Sequence, residues 1–170
     1  MPNWCECDLP VEGPLSKVEE FLRFARGPEV VLDFNRFLPN PEHFQELDRK
    51  AAEWDAERPG ESEGRPTDGY NQGGYEWCMA SWGTKWNASN PELNEEEDQR
   101  GTACRSVDIT FATAWSPPKP VVLRAAELSP ELKFDLRYFE RGDGYNGLLR
   151  CANGEVLADL DGDYFGDRGG

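Results

Sequence analysis

Histidine is nearly missing from this chain: His43 is the only one in 170 residues. A Ser-His-Asp or Cys-His nucleophilic centre would have to use it. It falls on the polar side of an expected helix, with no nucleophile signature around any Ser or Cys. The five cysteines (Cys5, Cys7, Cys78, Cys104 and Cys151) show no CxxC or Cys/His spacing. That argues against zinc and iron–sulfur sites, since a Cys5–Cys7 pair alone falls short of the four ligands a metal wants. In a reducing compartment these are free thiols, most of them buried as small apolar residues. No apolar run nears the roughly 18 residues a membrane span needs. The start, MPNWCECD, carries acids where a secretory leader carries Lys or Arg. The expectation is a cytoplasmic protein that does not enter a membrane.

Positive charge is also scarce. Lys and Arg number 18 against 33 Asp and Glu, a formal net charge of −15. Such a field repels phosphate backbones, so direct nucleic-acid binding is disfavoured. Phosphate-cradling motifs are absent as well, because Gly73-Gly74 and Gly142-Gly144 lack the required Lys-Ser/Thr or strand-to-helix context. The stretch Asp159-Leu160-Asp161-Gly162-Asp163 has its glycine at the fourth position rather than the sixth and no closing Glu, so it falls short of a calcium loop. Arg141-Gly142-Asp143 and Asn87-Ala88-Ser89 match adhesion and glycosylation motifs only formally in a cytoplasmic chain. No metal or cofactor is implied, and these absences point away from an enzyme.

What is present begins with alternation. In NWCECDLPVE at 3–12, Cys5, Cys7, Leu9 and Val11 point one way and the acids the other, which predicts a half-buried strand. Pro14 then opens a helix with the stripe Leu15, Val18, Phe21, Leu22 and Ala25, stopped by Gly27-Pro28. The apolar run 30–38 predicts a second strand. Asn40-Pro41-Glu42 starts a helix over about 41–56. The segment 57–72 is rich in Gly, Pro and charge and predicts a loop. Tyr75, Met79 and Trp82 share one face of a short helix ended by Gly83. Residues 87–103 read as polar connection. RSVDITFATAW at 105–115 alternates again, Ser116-Pro117-Pro118 opens a helix through Val122, Leu123, Ala126 and Leu128, and Phe134, Leu136 and Tyr138 mark a further strand. A hairpin turned at Asn153-Gly154 closes the series.

The order is β-α-β, an insertion, β-α-β and a hairpin. It predicts one α+β domain over 1–170: a ferredoxin-like split βαβ sandwich, with a helical, loop-rich insertion at about 40–103 between the halves and a C-terminal hairpin extension. On that scaffold RNA-recognition modules stack bases on strand aromatics. VDITFATAW lacks their Lys/Arg-Gly-aromatic pattern.

Four blocks, MPNWCECDLPVEG at 1–13, LDFNRFLPNPE at 32–42, WGTKWNA at 82–88 and TAWSPP at 113–118, resemble the YubB-like ferredoxin-like domain family of phage and plasmid proteins. YFERGDGYNG is a weaker echo. The resemblance implies a small cytoplasmic protein carried on mobile elements, and it brings no catalytic residues with it. One departure from the family pattern stands before the Ala-Trp-Ser-Pro-Pro block: where the family carries an acidic residue near position 112, this chain has Ala112 and Thr113.

Two functional expectations follow. The acids cluster in two segments, Glu92, Glu95, Glu96, Glu97 and Asp98 in one, Asp159, Asp161 and Asp163 in the other. Together with the mobile-element setting, they suggest a non-enzymatic interaction protein that binds a basic protein partner. That partner would be a nucleic-acid-binding host defence protein whose groove the acidic surface occupies in counter-defence. The alternative is a small-molecule-binding protein or enzyme that uses the Trp-Gly-Thr-Lys-Trp turn, with Trp82, Thr84, Lys85, Trp86 and Trp115 around the ligand. Of the tryptophans in WCMASWGTKW, Trp77 or Trp82 should anchor the core, while Lys85 and Trp86 face outward.

Overall fold

The computed structural model describes residues 3–95 and 103–166. Six strands and four helices lie in these residues. They are β1 (Trp4–Pro14), α1 (Leu15–Ala25), α2 (Glu42–Glu57), α3 (Gly74–Ser81), β2 (Ser89–Glu95), β3 (Cys104–Ala114), α4 (Lys119–Leu128), β4 (Lys133–Glu140), β5 (Tyr145–Ala152) and β6 (Glu155–Asp163). All neighbouring strands pair antiparallel, in the order β2-β3-β1-β4-β5-β6. The first four strands in that order make the interleaved split βαβ of a ferredoxin-like sandwich, and the β5–β6 hairpin extends the sheet beyond β4.

The alternation in β1 does what period two dictates. Cys5, Cys7, Leu9 and Val11 are buried under α1 and α4, while Glu6 and Asp8 turn to the face no described helix covers. Register with β3 is continuous from Trp4 opposite Ala114 to Pro14 opposite Cys104, which aligns Val107, Ile109 and Phe111 with the same buried layer. From above, α1 contributes Val18, Phe21 and Ala25, and α4 contributes Val121, Val122, Ala125 and Ala126. Fully burying a side chain such as Phe21 or Phe134 stabilises the fold by about 1.5–3 kcal/mol. Four of the five cysteines are buried and all are free; Cys104 is exposed.

Three local expectations need correction. The run 30–38 is not a strand. Its Leu32, Phe34 and Phe37 are buried as a plug in the core, around a single 3-10 turn at Phe34–Arg36. Side chains take the backbone donors there, Asp33 capping Asn35 N at 2.9 Å and Asn87 Oδ1 accepting from Phe34 N at 2.9 Å, and that local bonding competes with a ladder. The first βαβ half is therefore closed by β2, downstream of α2 and α3. Within the polar stretch 87–103, β2 is itself an edge strand. Only Leu93 packs on the core from it, and Pro91 sits at an irregularity in its pairing, where an edge tolerates proline. Finally, α3 buries Gly74 and Cys78 rather than Tyr75 and Met79, because Gly74 lies hard against the backbone of Gly69, while Trp82, just after the helix, is buried as expected.

At the hairpin, Asn153 and Gly154 take φ of 55° and 73°, the left-handed pair that a two-residue turn needs. The hairpin docks through Tyr138, whose ring crosses Gly147. A Cβ on Gly147 would lie 2.1 Å from the Tyr138 hydroxyl and 2.6 Å from the Leu160 carbonyl. Gly147→Ala should therefore cost about 1–3 kcal/mol in urea unfolding through overpacking. A wild-type midpoint would show that the hairpin does not depend on this close approach.

Candidate functional site

The turn after α3 is built from buried polar anchors. Gly83 adopts φ of 76°, and a Cβ there would meet Pro120 Cδ at 2.8 Å, so the turn can lie against the loop that opens α4. Ser116 Oγ donates to Gly83 O at 2.6 Å, and the wholly buried Thr84 donates to Ala114 O at 2.9 Å. Trp82 is 3% exposed, donates its indole N–H to Leu38 O at 2.8 Å, and meets Trp77 edge-on at 5.3 Å. It anchors the core, as does Thr84, so neither presents itself to a ligand. Asn87 ends the turn, its Nδ2 donating to Asp33 Oδ1 at 2.7 Å.

Between these anchors Lys85 and Trp86 are turned outward. Beyond Ala114 the chain enters the left-handed region at Trp115, with φ of 72°. For a bulky residue this conformation costs about 1–3 kcal/mol and persists only where the surroundings hold it. They do so at both backbone groups: Trp115 N donates to Asn3 O at 2.9 Å, and the Tyr145 hydroxyl donates to Trp115 O. The kink throws the Trp115 ring across from Trp86. Lys85 Nζ lies between the two, 4.3 Å from the Trp115 centroid and 4.5 Å from that of Trp86, within cation–π range of both. Each ring is 39% exposed. Trp4 flanks Trp86 at 6.1 Å, and Tyr75 meets Trp115 edge-on at 6.4 Å. A groove of about 310 Å³, lined by Tyr70, Asn71, Tyr75, Glu76, Lys85 and Trp115, opens beside this niche. Burial raises the Tyr70 hydroxyl pKa and keeps it a neutral donor. The niche offers flat aromatic faces, one ammonium, one carboxylate (Glu76) and neutral polar groups.

The expected acidic surface is divided. Glu92 is exposed on β2, to which Glu95 also belongs, while Glu96, Glu97 and Asp98 lie outside the described residues. Asp159, Asp161 and Asp163 are on β6, at the opposite margin of the sheet. Five strand spacings of roughly 4.8 Å put the two segments about 24 Å apart. Asp159 and Asp161 also have a partner within the chain, since Lys119 at the start of α4 reaches them at 2.7 and 3.0 Å. The Tyr138 hydroxyl donates to Asp161 as well. Lys119 was not singled out from sequence, and its only signal there is its place in the first turn of a helix that begins Pro-Pro-Lys-Pro. Among the described residues, no group of three or more His, Cys, Asp and Glu could hold a metal, and no helix is long and apolar enough to cross a membrane.

The Tyr138 hydrogen bond, then Lys119, holds the Asp161 carboxyl below its ordinary value. Burial alone would lower the Lys119 pKa, but its bonds to Asp159, Tyr138 and Asp161 outweigh that and raise it. For a lowered carboxyl the sign is fixed: the stabilisation is complete above the unfolded value of about 3.9 and is lost as pH falls through the folded one. An NMR titration should place the Asp161 midpoint below its value in Tyr138→Phe. Coincident midpoints would remove this bond from the hairpin's anchorage.

Residues 81–167, just over half of the chain, match the family described as the ferredoxin-like domain in Api92-like protein. No curated protein matches the chain. Among solved structures, the crystal structure of a protein api92 from Yersinia pseudotuberculosis is similar. Its TM-score is 0.59 and its identity 11%, over 98% of this chain and 99% of that one. At that identity the likeness shows the fold alone. Fold and match agree: the chain belongs to the family of ferredoxin-like domains found in Api92-like proteins.

Proposed function

We propose that the chain is a non-enzymatic interaction protein that binds a basic protein partner, and that one arginine or lysine of the partner seats between Trp86 and Trp115. The observation that carries this reading is the position of Lys85 itself. Its ammonium fills a two-walled aromatic clamp whose rings are each 39% exposed, so the clamp fits a cation in size and electrostatics. A net charge of −15 draws basic partners toward it. An incoming guanidinium stacks better on tryptophan than an ammonium does, and would displace Lys85 toward solvent.

In its finer form the proposal keeps the setting suggested by the WGTKWNA and TAWSPP blocks. The chain is then a YubB-like phage or plasmid protein in the cytoplasm, and its partner a host nucleic-acid-binding defence protein blocked by the acidic surface. A second reading is supported by the groove beside the niche, which has room for a small ligand of about 310 Å³. There a planar anionic molecule would stack on Trp115 and pair with Lys85.

Three variants separate the two readings. Against an arginine-rich peptide, Trp115→Ala or Trp86→Ala should weaken binding about three- to tenfold, and Lys85→Ala should strengthen it by vacating the clamp. Affinity should fall as salt rises. Under the small-ligand reading Lys85→Ala abolishes thermal stabilisation by nucleotides and similar metabolites. Peptide binding indifferent to all three substitutions overturns the cation-clamp reading.

A further inference from the structure

We infer that β6 is a docking edge for an extended segment of the basic partner, one in which cationic and apolar residues alternate; this inference rests on the basic-partner reading above. β6 is the last strand of the sheet and pairs only with β5 among the described residues. Eight of its nine residues are exposed, all but Ala158. Its outer backbone groups therefore face solvent, the arrangement to which an extended chain adds by main-chain hydrogen bonds.

Edges of this kind are ordinarily guarded by proline, by lysine and other charged side chains, or by a bulge. β6 has no proline or lysine, and its guarding charges are all acidic, so they repel an acidic strand but not a cationic one. Its one irregularity lies at the start of the hairpin, opposite Arg150 and Cys151. From Ala158 to Asp163 the pairing with β5 is regular. That register sorts the side chains by face. Ala158, Leu160 and Gly162 lie opposite Arg150, Leu148 and Asn146, on the face away from the helices. Asp159, Asp161 and Asp163 lie opposite Leu149, Gly147 and Tyr145, on the helix side.

An added strand would meet these two faces with its own alternation. On the helix side, three carboxylates stand against the single ammonium of Lys119, so cationic side chains are favoured there. On the other side Leu160 is 60% exposed beside Leu148. A groove of about 530 Å³, lined by Phe139, Leu148 and Leu160 with Asp8 and Arg137 at its far side, opens next to Gly162. With no side chain at Gly162, an apolar residue opposite it can reach into that groove. A second copy of this chain is a poor occupant, because pairing β6 with β6 sets aspartates against aspartates on one face.

The test uses the full chain and an eight-residue peptide of alternating lysine and valine. Its controls are a scrambled peptide of the same composition and a version N-methylated on one edge. The alternating peptide should bind at least tenfold tighter than either control. It should slow hydrogen exchange at β6 amides that face away from β5, and lose affinity in Asp163→Lys and Leu160→Lys. Equal affinity for the three peptides, or no protection of β6 while an arginine-rich peptide still requires Trp115, overturns strand addition and leaves the cation clamp standing. Failure of every basic peptide to bind overturns both. Concentration-dependent dimerisation that protects β6 without peptide would assign the edge to a second copy and overturn the inference too.

Discussion

The buried hydrogen bond from Thr84 to the carbonyl of Ala114 holds together two parts of the chain that would otherwise be independent. Ala114 is the last residue of β3, opposite Trp4 at the start of β1. Thr84 sits in the turn that closes the inserted helices. Joining them in a site from which water is excluded leaves neither group another partner, so breaking the contact costs the desolvation of both, about 1–3 kcal/mol for each. Everything at this end of the sheet follows from that joint. Gly83 is pressed against the loop before α4, Lys85 and Trp86 are turned outward, and Trp115 completes the wall opposite.

The left-handed backbone at Trp115 is the complement of that joint. Its strain is carried by Asn3, the residue before β1, and by Tyr145 of β5. The clamp is thus assembled by the margins of several elements and not by one flexible loop. Under the proposed reading, such an arrangement would take a cation without first having to order its walls, and most of the loss on binding would fall on the ligand. A static charge of −15 could by itself attract many basic molecules. A clamp with fixed ring spacing distinguishes among them by whether they can place one flat or compact cation at a defined point.

Much of the fold was legible in the sequence because period-two and period-3.6 patterns are written directly in β1, α1, β3, α4 and β4, and Asn153-Gly154 is a turn with a mechanism. Where reading failed, the reason is physical in each case. The run 30–38 is apolar because it fills a hole in the core, and composition alone does not separate a plug from a strand when Asp33 and Asn87 take the backbone donors. β2 shows a single core-facing residue, too few to register as alternation. The face of α3 turned from Tyr75 and Met79 to Gly74 and Cys78 because Gly74, invisible to any hydrophobic pattern, lies against the backbone of Gly69. For the site, the density of tryptophan in 77–86 drew attention to this turn. The sequence left open whether Trp77 or Trp82 anchors the core and put Lys85 and Trp86 outward; the structure buries Trp82 and exposes Trp86. The cation–π geometry was not legible, since it depends on a positive φ at Trp115 that no local motif announces. Nor was the pairing of Asp159 and Asp161 with Lys119, some forty residues away in the chain.

That pairing changes what the acidic composition can mean. Surface acids are often counted as one reservoir of negative charge, but here the fold partitions them. Two carboxylates of β6 are tied by Lys119 and Tyr138 into the docking of the hairpin, while Glu92 stands at the far margin of the sheet. A mimic of a nucleic-acid backbone needs evenly spaced charge along a path. Of the acids singled out from sequence, the described ones fall at opposite margins, about five strand spacings apart, with Glu6, Asp8 and Glu12 on the central strand between them. On the proposed reading, recognition of a basic partner on this framework would draw on local devices: an aromatic clamp to accept one cation and a strand edge to read alternation. The field of the whole molecule contributes mainly to the rate of encounter. Tyr145 brings the two devices to the same end of the sheet, donating to the Trp115 carbonyl while lying opposite Asp163 at the end of β6. A single basic segment running off β6 at Asp163 would be directed toward the clamp, and its specificity would lie in the distance between its strand-forming stretch and its anchoring cation.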